Sequence, residues 1–399
     1  MSRMTSLRHI LSYGVPFEAF TRDVWLLCLS NAVGAFGEGL YFWVFPLYIR
    51  SLNADYVQLG LVFSVLYLVS ALAPIPGGFL ADRFDRKKIL LLAWTPWVFA
   101  PLIYSFAENW TQLIPGTVCW GVSMIGVPAF MTYVLTSVTD KRKLASAISF
   151  VVATYSFGYI FAPAVGAYLA TFISMRGVLQ LSTVVSAVAT GIFLLIHSQY
   201  PKRNKADKPQ QPLPSPDDKR LWQKMLVWSG FLAIASFSMN IARPYVATYL
   251  SKQVNLSDFY VGTFGSVVYA GITFIGIFAG RLGDRWRKSG AISLCLILYP
   301  LSIVPLLMVR EPAALMLVAF LYGGSSVSGN LVSAYVGTIS PEAKRGVWMS
   351  IPQSLSLLAA FAAPYLGGYL YTQSPSYALI VSVIAMPFLA LMALTRLKE

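Results

Sequence analysis

Charged residues are scarce in this 399-residue chain, at 12% of the total, and acids are fewer than bases, with 16 Asp and Glu against 30 Lys and Arg. A soluble domain carries roughly 25% charged residues, which argues against an ordinary soluble fold. Hydrophobic residues make up 57% and gather in stretches long enough to cross a bilayer as helices. Because the alternating pattern of a membrane β-barrel is absent, we predict an all-α integral membrane protein.

Cysteine and histidine are nearly missing as well. The three cysteines all fall inside apolar runs, and the two histidines, His9 and His197, stand alone. This pattern excludes a disulfide framework, and no metal-ligand spacing, phosphate-binding loop or nucleophile constellation is present. No segment between the apolar runs is large enough to hold a soluble active site. We therefore expect no enzyme activity, no metal and no cofactor.

The net charge of +14 is distributed unevenly along the chain. Lys and Arg collect on alternate loops, as the positive-inside rule describes, so the charge indicates membrane topology rather than nucleic-acid binding. The rule places both termini in the cytoplasm. We expect a multi-pass protein of the cell membrane, monomeric and without a cleavable signal peptide.

Twelve apolar segments fit membrane-spanning helices. They cover residues 24–49, 56–81, 89–106, 112–137, 145–172, 178–197, 225–250, 259–283, 290–309, 313–338, 347–372 and 377–396. A long polar stretch rich in Pro, Lys, Gln and Asp separates the sixth from the seventh and suits a solvated linker. The predicted organisation is a cytoplasmic segment at 1–23, a six-helix bundle at 24–197, a linker at 198–224 and a second six-helix bundle at 225–396.

Two sequence echoes relate these halves. GFLADRFDRKK at 78–88 is echoed by GRLGDRWRK at 280–288, with Asp284 matching Asp82 at an offset of 284 − 82 = 202. APAVGAYL at 162–169 is echoed by APYLGGYL at 363–370, at an offset of 363 − 162 = 201. Two echoes at nearly one spacing predict two pseudo-symmetric bundles, an architecture known among transporters.

At this point the chain resembles the major facilitator superfamily over essentially its whole length. It has two sets of six spans, a long central loop and the family's loop motif G-x-L-A-D-R-x-G-R-K between spans two and three, with Asp85 where the family prefers Gly. The resemblance implies a secondary transporter whose halves rock about a midplane site.

The same resemblance implies a conformational latch that holds the cytoplasmic side closed. Gly78 would let spans two and eleven pack closely, and Asp82 would accept hydrogen bonds from a helix N-terminus. The predicted latch residues are Gly78, Asp82, Arg83, Arg86, Asp140, Gly280, Asp284 and Arg285. The alternative is a basic loop that only sets the topology.

Span five loosely resembles the superfamily's antiporter motif, G-x-x-x-G-P-x-x-G-G. Gly158, Pro163 and Gly166 fit it, whereas Ala162 and Ala167 replace glycines. Small residues allow close helix contact, and proline permits bending. Plain helix packing is therefore an alternative to an antiporter role.

Glu38 in span one and Arg243 in span seven are the charges that lie well inside the predicted spans. Intramembrane charge costs roughly 2.5–3.5 kcal/mol at the bilayer centre, so such residues usually face a cavity and find a partner. Spans one and seven are equivalent, and Glu38 corresponds to Asn240, one turn from Arg243. This spacing allows a Glu38–Arg243 pair across the cavity, whether static or functional.

Several roles are open for these two charges. Glu38 could take up and release a proton, and Arg243 could bind an anionic substrate as a bidentate donor. Thr117 stands four residues before Gly121, where many proton antiporters of the family carry Arg, which leaves Glu38 as the proton-coupling candidate. Aromatic and amide groups at this level suit amphipathic substrates. The predicted substrate-binding set is Glu38, Tyr41, Phe42, Trp120, Tyr155, Tyr159, Asn240, Arg243, Tyr269, Asn330 and Gln353.

The preferred function is proton-coupled efflux of small amphipathic organic compounds by alternating access. One alternative is proton-coupled uptake or uniport of an organic anion, and another is a membrane receptor with a transporter fold and no flux. The expected partners are a small-molecule substrate, protons and the lipid bilayer.

Overall fold

The structure is a computed structural model that describes residues 20–138, 144–201, 216–285, 287–339 and 345–396. Within these ranges the chain is helical with short connections and contains no β-strand. The N-terminal half contains eight helices: α1 (Arg22–Phe42), α2 (Phe45–Ser51), α3 (Tyr56–Leu72), α4 (Pro74–Ala81), α5 (Arg86–Ser105), α6 (Leu113–Val122), α7 (Gly126–Ser137) and α8 (Leu144–Ile192).

The C-terminal half contains seven helices in its described part. They are α9 (Pro216–Lys252), α10 (Asp258–Arg285), α11 (Lys288–Met308), α12 (Pro312–Ser325), α13 (Val327–Ile339), α14 (Arg345–Gln373) and α15 (Tyr377–Arg396). Helix α9 begins inside the stretch predicted as linker, nine residues before the predicted span at 225–250. Pro216 suits a first helical position, where its missing N–H has no partner to lose.

Several predicted spans are bent or broken. Helices α1 and α2 meet at 41°, and α2 and α4 each begin at or next to a proline, Pro46 or Pro74. Helix α8 has 49 residues, about 74 Å at 1.5 Å per residue, which exceeds one bilayer crossing. Ser174 breaks it with φ 63° and ψ 165°. This break separates the predicted fifth and sixth spans.

The described helices are consistent with a membrane protein. Nine stretches are long and apolar enough to cross a bilayer, or ten if α1 and α2 form one bent crossing. One of the nine contains the break at Ser174, and α14 is not among them. The all-α membrane fold is confirmed, and the count of twelve spans stays a prediction.

The two halves meet along two helix pairs, α3 with α14 and α8 with α10. Contacts inside the halves repeat at the spacing of the sequence echoes. Gly166 of α8 lies against the backbone carbonyl of Leu40, and Gly367 of α14 lies against that of Ile241. The offsets are 367 − 166 = 201 and 241 − 40 = 201. The sequence repeat therefore has a direct counterpart in helix packing.

One end of the interface between the halves is closed by aromatic groups, and we call it the sealed end. The Tyr245 hydroxyl donates to the carbonyl of Pro364 at 2.6 Å and lies 3.1 Å from the carbonyl of Tyr56. The rings of Tyr56 and Tyr371 are 4.5 Å apart, and the Arg50 guanidinium lies 4.2 Å from the Tyr56 ring centroid. The predicted topology places this end outside the cell.

The opposite end, which carries the loop motif, is packed differently. A side chain added at Gly78 or Gly280 would meet nothing within 4 Å. Helix α4 packs mainly on α7 and on the 3-10 turn Ser123–Ile125 that precedes α7, both in its own half. The predicted close packing of Gly78 against span eleven is therefore wrong for this conformation, because α3 and α14 meet nearer the sealed end, where Gly60 lies against Pro364.

Candidate functional site: a charged, tyrosine-lined centre

Glu38 lies in the interior of the N-terminal half, with 4% of its surface exposed. It is flanked by Gly37 and Gly39, whose missing side chains let α8 pack directly on α1. This close packing brings Tyr159 of α8 to the carboxyl group, where Trp97 and Trp120 are the other polar neighbours. Tyr159 and Trp97 supply hydrogen-bond donors, whereas the buried indole N–H of Trp120 has no hydrogen-bond partner in the described structure. A carboxylate here is therefore shielded from lipid and still has polar neighbours.

Arg243 lies in the C-terminal half of α9 and is solvent-accessible. Its electrostatic neighbours are four tyrosines, Tyr67 and Tyr159 of the N-terminal half and Tyr269 and Tyr322 of the C-terminal half. A side chain that is accessible and yet surrounded by residues from both halves faces a cavity between them. Arg243 therefore lines the central cavity of the protein.

Two stacked tyrosines connect Glu38 to Arg243. The rings of Tyr159 and Tyr269 are 4.3 Å apart, with 27° between their planes. The Tyr159 hydroxyl lies close to Glu38, and the Tyr269 hydroxyl lies close to Arg243. Among the described residues the only salt bridge joins His197 to Asp23. The predicted direct Glu38–Arg243 pair is thus wrong for this structure, because the tyrosine rings lie between the two charges.

Most of the other predicted site residues belong to the same centre. Tyr155 and Tyr159 have their hydroxyls 3.4 Å apart, and Tyr41 lies close enough to Glu38 to interact electrostatically with it. Phe42 stacks on Trp120 at 6.1 Å. Asn240 accepts a hydrogen bond of 2.7 Å from Tyr67 across the two halves.

Two predicted site residues are not joined to this centre. Asn330 and Gln353 are exposed, and no side-chain hydrogen bond of the described structure links either one to the cluster. Their place in the substrate-binding set stays a prediction.

Sequence reasoning missed Tyr67, Trp97 and Tyr322 of this centre. Two of them could have been found from the repeat. Tyr67 corresponds to Tyr269 at 269 − 67 = 202, and Tyr322 corresponds to Trp120 at 322 − 120 = 202. The internal repeat relates both residues to predicted site residues, Tyr269 and Trp120, at the same offset of 202.

The loop motif contacts the start of the central linker. Asp85 caps α5: its carboxylate accepts from the Lys87 amide at 3.1 Å and from the Gln199 amide at 2.9 Å. Arg86 donates to the Gln199 side chain at 2.8 Å, whereas Asp82 and Arg83 are exposed.

The cross-half pairing of the predicted latch stays a prediction. Asp140 lies outside the described residues, and so do the side chains of Asp284 and Arg285.

Two helical bundles around a cavity that holds isolated charges and aromatic rings define the fold of a membrane transporter. The sequence model of the Major Facilitator Superfamily matches residues 27–242 and 226–399. The chain belongs to this superfamily.

Curated relatives are similar over most of the chain. Quinolone resistance protein NorA of Staphylococcus aureus is 21% identical, covering 88% of this chain and 90% of its own. The multi-drug resistance efflux pump PmrA homolog of Lactococcus lactis is 25% identical, covering 81% of each. Multidrug resistance protein MdtG of Salmonella dublin is 26% identical, covering 75% of this chain and 76% of its own.

Solved structures share the fold at low sequence identity. A mutant of the nucleoside transporter NupG superposes with a TM-score of 0.79 at 14% identity, covering 94% of this chain and 100% of its own. A mutant of the peptide transporter POT superposes with a TM-score of 0.74 at 15% identity, covering 97% of each. These similarities support the architecture alone.

Proposed function

We propose that this protein is a secondary active transporter that exports small amphipathic organic compounds in exchange for protons. Glu38 is the proton-coupling residue, and the cavity between the halves binds the substrate. The two halves alternate between access to one side of the membrane and access to the other.

The observation that carries the proposal is the chain of contacts from Glu38 through Tyr159 and Tyr269 to Arg243. Tyr159 belongs to α8 and Tyr269 to α10, so their stack lies at the interface between the halves. Rocking of the halves would change this stack and with it the surroundings of Glu38. A carboxyl group whose surroundings alternate takes up a proton in one state and releases it in the other.

The relatives support export as the direction. One is described as a multi-drug resistance efflux pump and others as resistance proteins. The aromatic centre suits the same kind of substrate, because rings with scattered hydrogen-bonding groups bind amphipathic molecules of varied shape.

The decisive experiment compares Glu38→Gln with wild type in proteoliposomes. The probes are fluorescent amphipathic compounds that include a quinolone. We expect the variant to lose transport driven by a pH gradient and to keep exchange at equal pH, because the neutral amide occupies the site without releasing a proton. Glu108→Gln is the matched control, since Glu108 is exposed in the turn between α5 and α6. Gradient-driven flux that persists in Glu38→Gln would exclude Glu38 as the coupling residue.

The position of Arg243 supports a second candidate function, proton-coupled uptake or uniport of an organic anion. Its guanidinium is accessible and has no carboxylate partner among the described residues. The direction of flux in vesicles of known orientation separates this candidate from export.

A further inference from the structure

Arg243 carries a positive charge that no negatively charged side chain of the described residues neutralises. It is a permanent cation, because guanidinium is not deprotonated in proteins. Its neighbours are neutral tyrosine hydroxyls, Tyr67, Tyr159, Tyr269 and Tyr322. No Asp or Glu of the described ranges lies within salt-bridge distance of it.

Glu38 does not supply the missing negative charge. The carboxyl group is buried on the far side of Tyr159, in contact with Trp97 and Trp120 of its own half. Tyr159 stacks on Tyr269, so the tyrosine pair separates the acid from the cavity face of Arg243. The accessible Arg243 therefore has no counter-charge from the described residues of the protein.

The hydrogen-bonding capacity of Arg243 is also largely unused. A guanidinium offers five N–H donors in a planar fork, and Tyr269 provides a single acceptor. The hydroxyl of Tyr67 donates to Asn240 at 2.7 Å, and no hydrogen bond of the described structure joins it to Arg243. A planar carboxylate matches the remaining donors in a bidentate arrangement.

Aromatic surfaces surround the place where such a group would sit. Tyr155 is 38% exposed, and the half-buried ring of Tyr269 carries the hydroxyl that contacts Arg243. These rings provide faces for an aromatic body next to the cation. The site therefore places the positive charge of Arg243 next to the aromatic rings of Tyr155 and Tyr269.

Resting on the transporter function proposed above, we propose that Arg243 binds the acidic group of aromatic carboxylates, which form the preferred substrate class of this protein. The carboxylate pairs with the guanidinium, and the aromatic body lies against Tyr155 and Tyr269. The bound substrate then supplies the negative charge that no described residue of the protein provides next to Arg243.

Binding to purified protein tests the proposal without any need for flux. The probes are 1-naphthoate, 2-naphthoate and biphenyl-4-carboxylate, each paired with its carboxamide, which keeps the shape and removes the charge. Titrations at pH 8 keep the acids ionised. We expect wild type to bind at least one carboxylate at least about tenfold more tightly than its carboxamide, as a charge-assisted hydrogen bond provides.

Two variants assign that preference to Arg243. Arg243→Gln should bind carboxylate and carboxamide equally, with its carboxamide affinity unchanged as evidence of an intact cavity. Arg243→Lys should keep part of the preference, because it restores the charge without the fork. Equal affinities in wild type, no binding of any acid, or a preference that survives in Arg243→Gln would overturn the proposal. Gradient-driven flux that persists in Glu38→Gln, with the acid preference of the wild type intact, would instead count against the proposed function alone.

Discussion

Gly60 of α3 lies directly against the backbone carbonyl of Pro364 in α14, and Gly262 of α10 meets the carbonyl of Pro163 in α8 in the same way. The two glycines are 262 − 60 = 202 residues apart, and the two prolines are 364 − 163 = 201 residues apart. These contacts hold the two halves together at corresponding places. The close approach requires residues without side chains, because a β-carbon would overlap the carbonyl of the other helix.

The first prediction concerns the sealed end. Gly60→Ala and Gly262→Ala should each destabilise the sealed arrangement by about 1–3 kcal/mol, the usual cost of overpacking. The population should shift toward conformations in which the halves separate at this end. Spin labels at Ser51 and Gln253, exposed positions on opposite halves, should report longer distances in both variants.

The control for this prediction is Gly230→Ala, since an added side chain at Gly230 would meet nothing within 4 Å. That substitution should leave the label distances unchanged and should slightly favour helix α9. Distances that stay the same in the Gly60 and Gly262 variants would show that the glycine contacts do not hold the sealed end.

The second prediction concerns the hydrogen bond between the halves at the level of the central site. Tyr67→Phe removes the donor that Asn240 accepts at 2.7 Å, and Asn240 is buried with 7% of its surface exposed. We expect a loss of about 0.5–2 kcal/mol, measured as a lower unfolding midpoint in detergent. Tyr365→Phe is the control, because Tyr365 is 50% exposed. Equal midpoints for the two variants would contradict an energetic role for this bond.

The sequence predicted best those features that depend on local composition or on the internal repeat. Low charge and long apolar runs predicted the helical membrane fold, and the offset of 201 or 202 residues matched helix contacts such as Gly166 with Leu40 and Gly367 with Ile241. Isolated charge inside a span singled out Glu38 and Arg243, because a charged side chain is costly in lipid unless it faces polar surroundings.

The partners of those charges could not be read from the sequence. Periodicity places Glu38 and Arg243 on equivalent helices, but the stack of Tyr159 on Tyr269 depends on how two halves distant in sequence pack. The loop motif shows the same limit. Family analogy favoured Asp82 as the cap, whereas the helix begins after Asp85, the residue that departs from the motif.

The third prediction follows from that departure. Asp85→Gly, which brings the loop closer to the family pattern, should destabilise this protein, because the Asp85 carboxylate accepts from the amides of Lys87 and Gln199. Replacement of a helix cap by Gly costs only a few tenths of a kcal/mol, so most of an expected loss of about 1–2 kcal/mol comes from the Gln199 amide, which is left without its acceptor. Asp85→Asn keeps an acceptor at the same place and should lose less. The unfolding midpoints of both variants decide the matter, and a stabilised Asp85→Gly protein would refute the assigned role.

The fourth prediction concerns the residues that precede the central linker. The buried hydroxyl of Tyr133 lies 2.8 Å from the Asp23 carboxylate and 2.7 Å from the His197 carbonyl. The His197 ring lies 3.0 Å from the same carboxylate. This cluster ties the end of the sixth predicted span to α1 and α7, so that the linker leaves from a fixed point.

Tyr133→Phe should release that fixed point, because it leaves the His197 carbonyl and one Asp23 oxygen without the shared hydroxyl, at a cost of about 1–3 kcal/mol. Hydrogen exchange of the amides at residues 197–199 should accelerate, since the His197 amide lies 3.3 Å from Asp23 and the Gln199 amide is held by Asp85. Tyr200→Phe is the matched control on the same segment, with Tyr200 65% exposed. If exchange in Tyr133→Phe equals that in the control, the hydroxyl does not anchor the linker, and Asp85 and Arg86 of the loop motif hold this segment without it.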